Sequence, residues 1–352
     1  MGWPPELRAQ LTALITGVSC GFGAYFLGLP LPWMLGPMLG NTVLAVAGVP
    51  VVGPDKWRSF VIPVIGVMLG SAITVEIFSQ LGGWILTLVL LPVYLLMAAG
   101  VSFLVYRRIG GYDAVTAFYA AMPGGLNEML IMGGEAGGDE RKIALAHAAR
   151  VMLVILFVAL FFGLFLGVRS GGGGRNWVSL SALSPPDYAL LILAAIIGVW
   201  VAKRLRLPAA PVFGPMIISA VFHIAGWVET GPPTVFIIAA QMVVGTIIGT
   251  RFAGATFAEV RRDIALAVIG SSAMLVVSIA FGALVAWSAQ MSLSQAFLAY
   301  APGGLTEMSL LTLAMNQDVA YVSTMHIIRI TLVIAIAPLV FRLARAKITK
   351  TK

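Results

Sequence analysis

Charge is scarce in this chain. Asp, Glu, Lys and Arg make up 10% of its 352 residues and apolar types 60%, whereas a soluble domain carries about 25% charged residues. That deficit excludes a soluble enzyme and leaves an integral membrane protein. Cysteine is nearly absent. Cys20 alone rules out an intramolecular disulfide and any cysteine-based metal cluster, and its Gly- and Ser-rich apolar surroundings suit a packed thiol. Only three histidines occur, His147, His223 and His326, fewer than the His-and-carboxylate clusters of copper or iron oxygenases want. No metal site and no cofactor is therefore expected, although two histidines could meet at a symmetry axis. Phosphate-binding loops, dinucleotide fingerprints and Ser-His-Asp patterns are missing, as are Arg-rich nucleic-acid elements. No cleavable leader is evident, because the apolar run from Leu11 continues into further apolar stretches. The net charge of +8 falls mostly in short loops, where it sets membrane orientation.

What the chain does contain is a motif used twice. Pro123-Gly124-Gly125-Leu126-Asn127-Glu128-Met129 in the first half answers Pro302-Gly303-Gly304-Leu305-Thr306-Glu307-Met308 in the second. Each copy is followed by an Asp and then a His-x-x-Arg pair: Asp139, His147 and Arg150, then Asp318, His326 and Arg329. One offset relates all these positions (302 − 123 = 179). Gly66, Gly70 and Phe78 answer Gly245, Gly249 and Phe257 at the same offset, and Gly36-Pro37-Met38 answers Gly214-Pro215-Met216 one residue short of it. The first repeat is read as 1–168, a Gly-rich linker as 169–186, the second repeat as 187–345 and a basic cytoplasmic tail as 346–352.

A helix needs about 20 apolar residues to cross a bilayer. Stretches near 8–28, 31–50, 59–75, 82–105 and 140–168 meet that length roughly, as do 187–204, 208–228, 233–250, 264–287 and 319–341. Between the fourth and fifth span of each half, Pro and two Gly break the helix. With the tail of Arg342, Arg345, Lys347, Lys350 and Lys352 in the cytoplasm, the positive-inside rule keeps most remaining Lys and Arg inside only if both broken segments return to the face they entered. The expected fold is thus an all-α polytopic membrane protein of two inverted repeats. Each would have about five transmembrane helices and one broken re-entrant helical hairpin. Both termini would be cytoplasmic, in a bacterial inner membrane.

Broken helices at membrane depth, beside ionisable residues, point to a transporter site. The half-helices starting at Leu126 and Leu305 present free N–H groups and a positive dipole end, which favour an anion. Pro123, Gly124, Gly125, Asn127, Arg150, Pro302, Gly303, Gly304, Thr306 and Arg329 are the candidate substrate-binding residues. Glu128, Glu307, His147 and His326 are candidates for proton coupling. Simpler readings stand beside these. Each Glu would cap its own helix, each Arg would snorkel to the interface or brace the hairpin through a Glu, and each His would be packed. Asp139 and Asp318 are expected as N-caps.

The duplicated Pro-Gly-Gly-Leu-x-Glu-Met, with its trailing His-x-x-Arg, resembles the AbrB-type duplicated membrane protein family over roughly residues 10–345. Members of that family carry the labels ammonia monooxygenase and AbrB family transcriptional regulator. The resemblance implies membership and duplication, without residue roles. The residues point to a secondary transporter of a small, anionic metabolite. Its partners would be the lipid bilayer and that substrate, without nucleic acid, and a homodimer is among the expected states. The alternatives are a membrane regulator acting through a partner and an ammonia-monooxygenase-like enzyme.

Overall fold

The computed structural model describes residues 4–29, 31–75, 77–165, 177–254 and 257–348, without the side chains of 77–81, 127, 162–165, 257–260, 342 and 344–348. The Gly171–Gly174 run, the end of the basic tail and the tail's Arg and Lys side chains lie outside that description. In the first half the helices are α1 (Pro5–Phe26), α2 (Pro32–Val46), α3 (Arg58–Gly70), α4 (Ile77–Leu104), α5 (Ala114–Ala121), α6 (Leu126–Glu135) and α7 (Glu140–Phe165). In the second half they are α8 (Pro185–Arg204), α9 (Ala210–Ile224), α10 (Thr234–Thr250), α11 (Phe257–Ala289), α12 (Leu293–Tyr300), α13 (Leu305–Ala314) and α14 (Val319–Ile348). No strand occurs among the described residues.

Among the described residues six helices are long and apolar enough to cross a membrane, namely α1, α4, α7, α8, α11 and α14, and the protein is an integral membrane protein. The other four expected spans are shorter helices. α2 and α9 have 15 residues each, α3 has 13 and α10 has 17, which at 1.5 Å per residue is about 20–26 Å. Start and stop signals set these lengths. α2 and α9 each follow a left-handed residue, Leu31 or Ala209, both with φ 48°. Each ends in a left-handed glycine, Gly48 or Gly226. Past those glycines, Val49 N donates to Leu44 O and Trp227 N to Phe222 O, closing the same C-terminal cap twice. Apolar residues continue through both stops, so hydropathy alone overruns them.

The chain forms two compact units. The first holds α1, α2, α3, α8, α9 and α10. Here helices from the two halves pack through glycine. Gly66 and Gly70 of α3 face the carbonyls of Val212 and Met216 on α9, and Gly245 and Gly249 of α10 face those of Met34 and Met38 on α2. Buried Asn41 donates from Nδ2 to Ala13 O at 3.0 Å and Pro37 O at 2.9 Å, joining α2 to α1. Ser219 of α9 donates to Val67 O of α3 at 2.8 Å.

The second unit holds α4, α5, α6, α11, α12, most of α7 and α14, and the first turn of α13. Its core gathers Tyr94, Phe118, Met129, Met274, Phe281, Tyr300 and Phe341. The broken segments lie here. α5 and α12 have 8 residues each, and α6 has 10, so each is about 12–15 Å long. Asp113 starts α5 by accepting from Val115 N and Thr116 N at 3.0 and 2.9 Å. Both first half-helices stop where proline forbids continuation. The residue before proline is pushed out of the helical region, and Met122 and Ala301 take ψ 127° and 132°. After the break α6 runs back beside α5. Asp139 N, just past α6, donates to Thr116 Oγ1 in the first turn of α5 at 2.8 Å.

Candidate functional site

His147 and Arg150 lie one turn apart on α7, 1% and 3% exposed. Arg150 donates from Nη1 to Met122 O and from Nη2 to His147 Nδ1, both at 2.9 Å. Arginine has no acceptor, so His147 Nδ1 accepts and its Nε2–H donates to Tyr119 O at 2.9 Å. Tyr119 and Met122 supply end carbonyls of α5, which have no partner within their own helix. The pair therefore caps the broken half-helix, with a cation at its negative dipole end.

The second half repeats this at the same offset. His326 Nε2 donates to Leu298 O at 2.8 Å and Arg329 Nη1 donates to Ala301 O. Arg329 Nη2 donates to Gly303 O at 2.6 Å rather than to the histidine. Among the described residues three buried side-chain nitrogens have no hydrogen-bond partner: Arg150 Nε, Arg329 Nε and His326 Nδ1.

The motif's other residues follow from the turn itself. Gly124 and Gly303 leave room for the buried side chains of Met129 and Met308, which a Cβ would crowd at 3.2 and 2.7 Å. Gly125 and Gly304 lie under the carboxylates of Glu128 and Glu307, whose Oε2 atoms would meet a Cβ there. Each Glu is the third residue of its half-helix and folds back over the residue before it, the position from which a carboxylate reaches the exposed N–H groups of a helix start. Glu307 and Thr306 are buried, and Glu128 is half-buried. Asn127 sits in the first turn of α6, its side chain outside the described set. Pro123 and Pro302 are buried at the breaks.

Asp139 and Asp318 accept from Lys142 N and Tyr321 N at 3.1 and 3.0 Å, opening α7 and α14. Partial burial opposes the charge on Asp139, but the backbone and side-chain hydrogen bonds and the charge of Lys142 outweigh it and hold its carboxyl below its ordinary range. A carboxylate with a lowered folded pKa stabilises above its unfolded pKa and loses that contribution as pH falls through the folded one. Asp139→Ala is expected to cost about 0.5–2 kcal/mol near neutral pH. Thermal melts at two pH values should show the gap to wild type closing on acidification.

The charge of Arg150 reaches Arg329, and both arginines act on the Tyr94 hydroxyl. Ser278 spends its proton on Met274 O at 2.8 Å, so it accepts from Tyr94 OH at 3.1 Å and fixes that ring. Tyr300 OH donates to Thr87 O at 3.0 Å. Sequence reading missed Tyr94, whose only signal was a phenol within the apolar run of α4. No group of three or more His, Cys, Asp and Glu with metal-holding geometry occurs among the described residues.

Comparison with known proteins gives one family model, described as "Transition state regulatory protein AbrB", which matches residues 33–345. The chain is 27% identical to "Uncharacterized protein YhjN" of Bacillus subtilis (strain 168), covering 96% of this chain and 94% of that protein. It is 26% identical to "Putative regulator AbrB" of Escherichia coli (strain K12), covering 95% of each.

Proposed function

This chain belongs to the AbrB family, and we propose that its fold serves as a secondary transporter of a small anionic metabolite. The ligand binds between the breaks at Gly124/Gly125 and Gly303/Gly304. One observation carries this reading. Two guanidiniums, one from each half, are buried in the same unit, and the charge of Arg150 reaches Arg329. Like charges taken out of water repel and are poorly solvated, and a bound anion offsets both costs. The free Nε–H of each arginine, the Tyr94 hydroxyl and the positive starts of α6 and α13 are the donors it would meet.

In this reading the halves are inverted repeats, and the broken pairs enter an inner membrane from opposite faces with both termini cytoplasmic. Pro123 and Pro302 hold the breaks open. Asn127 and Thr306 line the helix starts, and Glu128, Glu307, His147 and His326 are the groups through which protons would couple.

The test is the apparent melting temperature of detergent-purified protein against a panel of carboxylates, amines and sulfur compounds. A ligand that binds only the folded state stabilises it by about 2.7 kcal/mol at 100 times its Kd. Carboxylates are expected to raise the melting temperature and amines to leave it unchanged; stabilisation by amines alone contradicts the reading.

The printed name of the Escherichia coli relative favours a second reading, a membrane regulator acting through a partner. Its nearest contact would be the basic tail, so deleting residues 346–352 should abolish signalling and spare anion binding.

A further inference from the structure

The two halves hold the same groups in two different arrangements. Arg150 bonds its own histidine through Nη2 at 2.9 Å. Arg329 has turned Nη2 away from His326 onto the break carbonyl of Gly303 at 2.6 Å. His326 Nδ1 is left in a fully buried ring without a hydrogen-bond partner. We propose that His326 Nδ1 is the proton-binding atom of this protein, opened and closed by exchange of the neighbouring guanidinium between histidine and break carbonyl. The proposal rests on the anion-transport reading for its purpose, though not for its geometry.

The chemistry is constrained at each atom. His326 Nε2–H is committed to Leu298 O at 2.8 Å, so the tautomer is fixed and Nδ1 carries a lone pair. A buried acceptor with no donor has lost its water and gained nothing in return. Two donors can relieve it. Arg329 can swing back and reproduce the His147 arrangement, giving up Gly303 O. Alternatively a proton can bind, making an imidazolium whose Nδ1–H is a new donor. The two are exclusive, because one lone pair serves either. The first half therefore shows the closed position, with the lone pair of His147 taken by Arg150, and the second shows the open one.

Charge then links the proton to the ligand. The charged and titratable groups near this centre are Arg329 on the same helix, Arg150 on α7, Tyr94 on α4, Tyr300 of α12 against the Tyr94 ring, and Glu307 over Gly304, next to the Gly303 that Arg329 bonds. The charge that acts on His326 is that of Arg329. A proton there adds a positive charge beside two guanidiniums, so it is held best when an anion is present. By reciprocity the proton tightens anion binding by the same factor. Proton and anion would therefore load together.

The test is side-chain nitrogen NMR of the full-length protein, 15N-labelled in histidine. Three histidines give three ring systems, assigned by His147→Gln, His223→Asn and His326→Gln; if one variant fails to fold, the other two assign it by difference. The expected spectrum shows two unprotonated Nδ1 atoms, one without a hydrogen bond from His326 and one hydrogen-bonded from His147, beside the protonated Nδ1 of His223, which donates to Ser219 O at 2.7 Å. As pH is lowered within the folded range, the His326 Nδ1 resonance moves to the imidazolium position before that of His147. Identical Nδ1 resonances, or His147 taking the proton first, would overturn the proposal. The spectrum needs no ligand. A carboxylate panel without hits would sink the transport reading and leave this result standing, and a wrong protonation order would do the reverse.

Discussion

Arg150→Ala with Arg329→Ala is expected to erase carboxylate-dependent stabilisation, and each single change to weaken it by about 10- to 150-fold. That range corresponds to losing one charge-assisted hydrogen bond of about 1.5–3 kcal/mol. The changes also touch the fold, because Arg150 serves Met122 O and His147 Nδ1 while Arg329 serves Ala301 O and Gly303 O. Each buried acceptor left without a donor costs about 1–3 kcal/mol. Arg150→Ala and Arg329→Ala should therefore lower the ligand-free melting temperature by similar amounts, since each abandons two buried acceptors. Lysine separates the two losses. Its single ammonium keeps the charge but loses the planar fork, so Arg329→Lys should keep part of the anion response and lose one carbonyl bond. Melting curves with and without the carboxylate read both effects in one sample. Retained carboxylate stabilisation in the double variant would remove the arginines from the site.

The second large effect lies in the other unit. Gly245→Leu places a side chain against the backbone carbonyl of Met34, and Gly66→Leu does the same against Val212 O. A flexible neighbour can move aside, whereas a helix backbone must shift as a whole. Overpacking of this kind costs about 1–3 kcal/mol and at times more. Because the two glycines occupy matching places in the two halves, both substitutions should cost similar amounts. Yield of monodisperse protein and its melting temperature measure this. A control at Gly82 or Gly83, where a Cβ meets nothing within 4 Å, should change neither.

Much of this architecture was legible before any coordinates. Low charge gave the membrane. The doubled Pro-Gly-Gly placed both breaks, because proline acts on the backbone locally and needs no tertiary partner. The aspartates before α7 and α14 were legible as caps for the same reason. The lengths of α2 and α9 were not, since Leu31 and Ala209 give no hint of a left-handed backbone and apolar residues run on past Gly48 and Gly226. The partners of His147 and Arg150 were hidden for a different reason. Their acceptors are main-chain carbonyls 28 residues earlier, and a carbonyl leaves no mark on composition. Expecting a carboxylate or a lipid interface for those arginines left out the end of a broken helix, which offers unsatisfied acceptors of its own. Tyr94 escaped notice because the first half offers a phenol where the matching second-half position, Ala273, has none.

The most direct test is uptake of isotope-labelled small carboxylates into proteoliposomes, with an imposed inward proton gradient, for wild type beside the Arg150→Ala, Arg329→Ala variant. The account predicts that wild-type vesicles concentrate at least one carboxylate above the level in protein-free vesicles, that collapsing the gradient reduces the uptake, and that the variant shows none. Folded wild-type protein that moves no carboxylate, with or without the gradient, would contradict it.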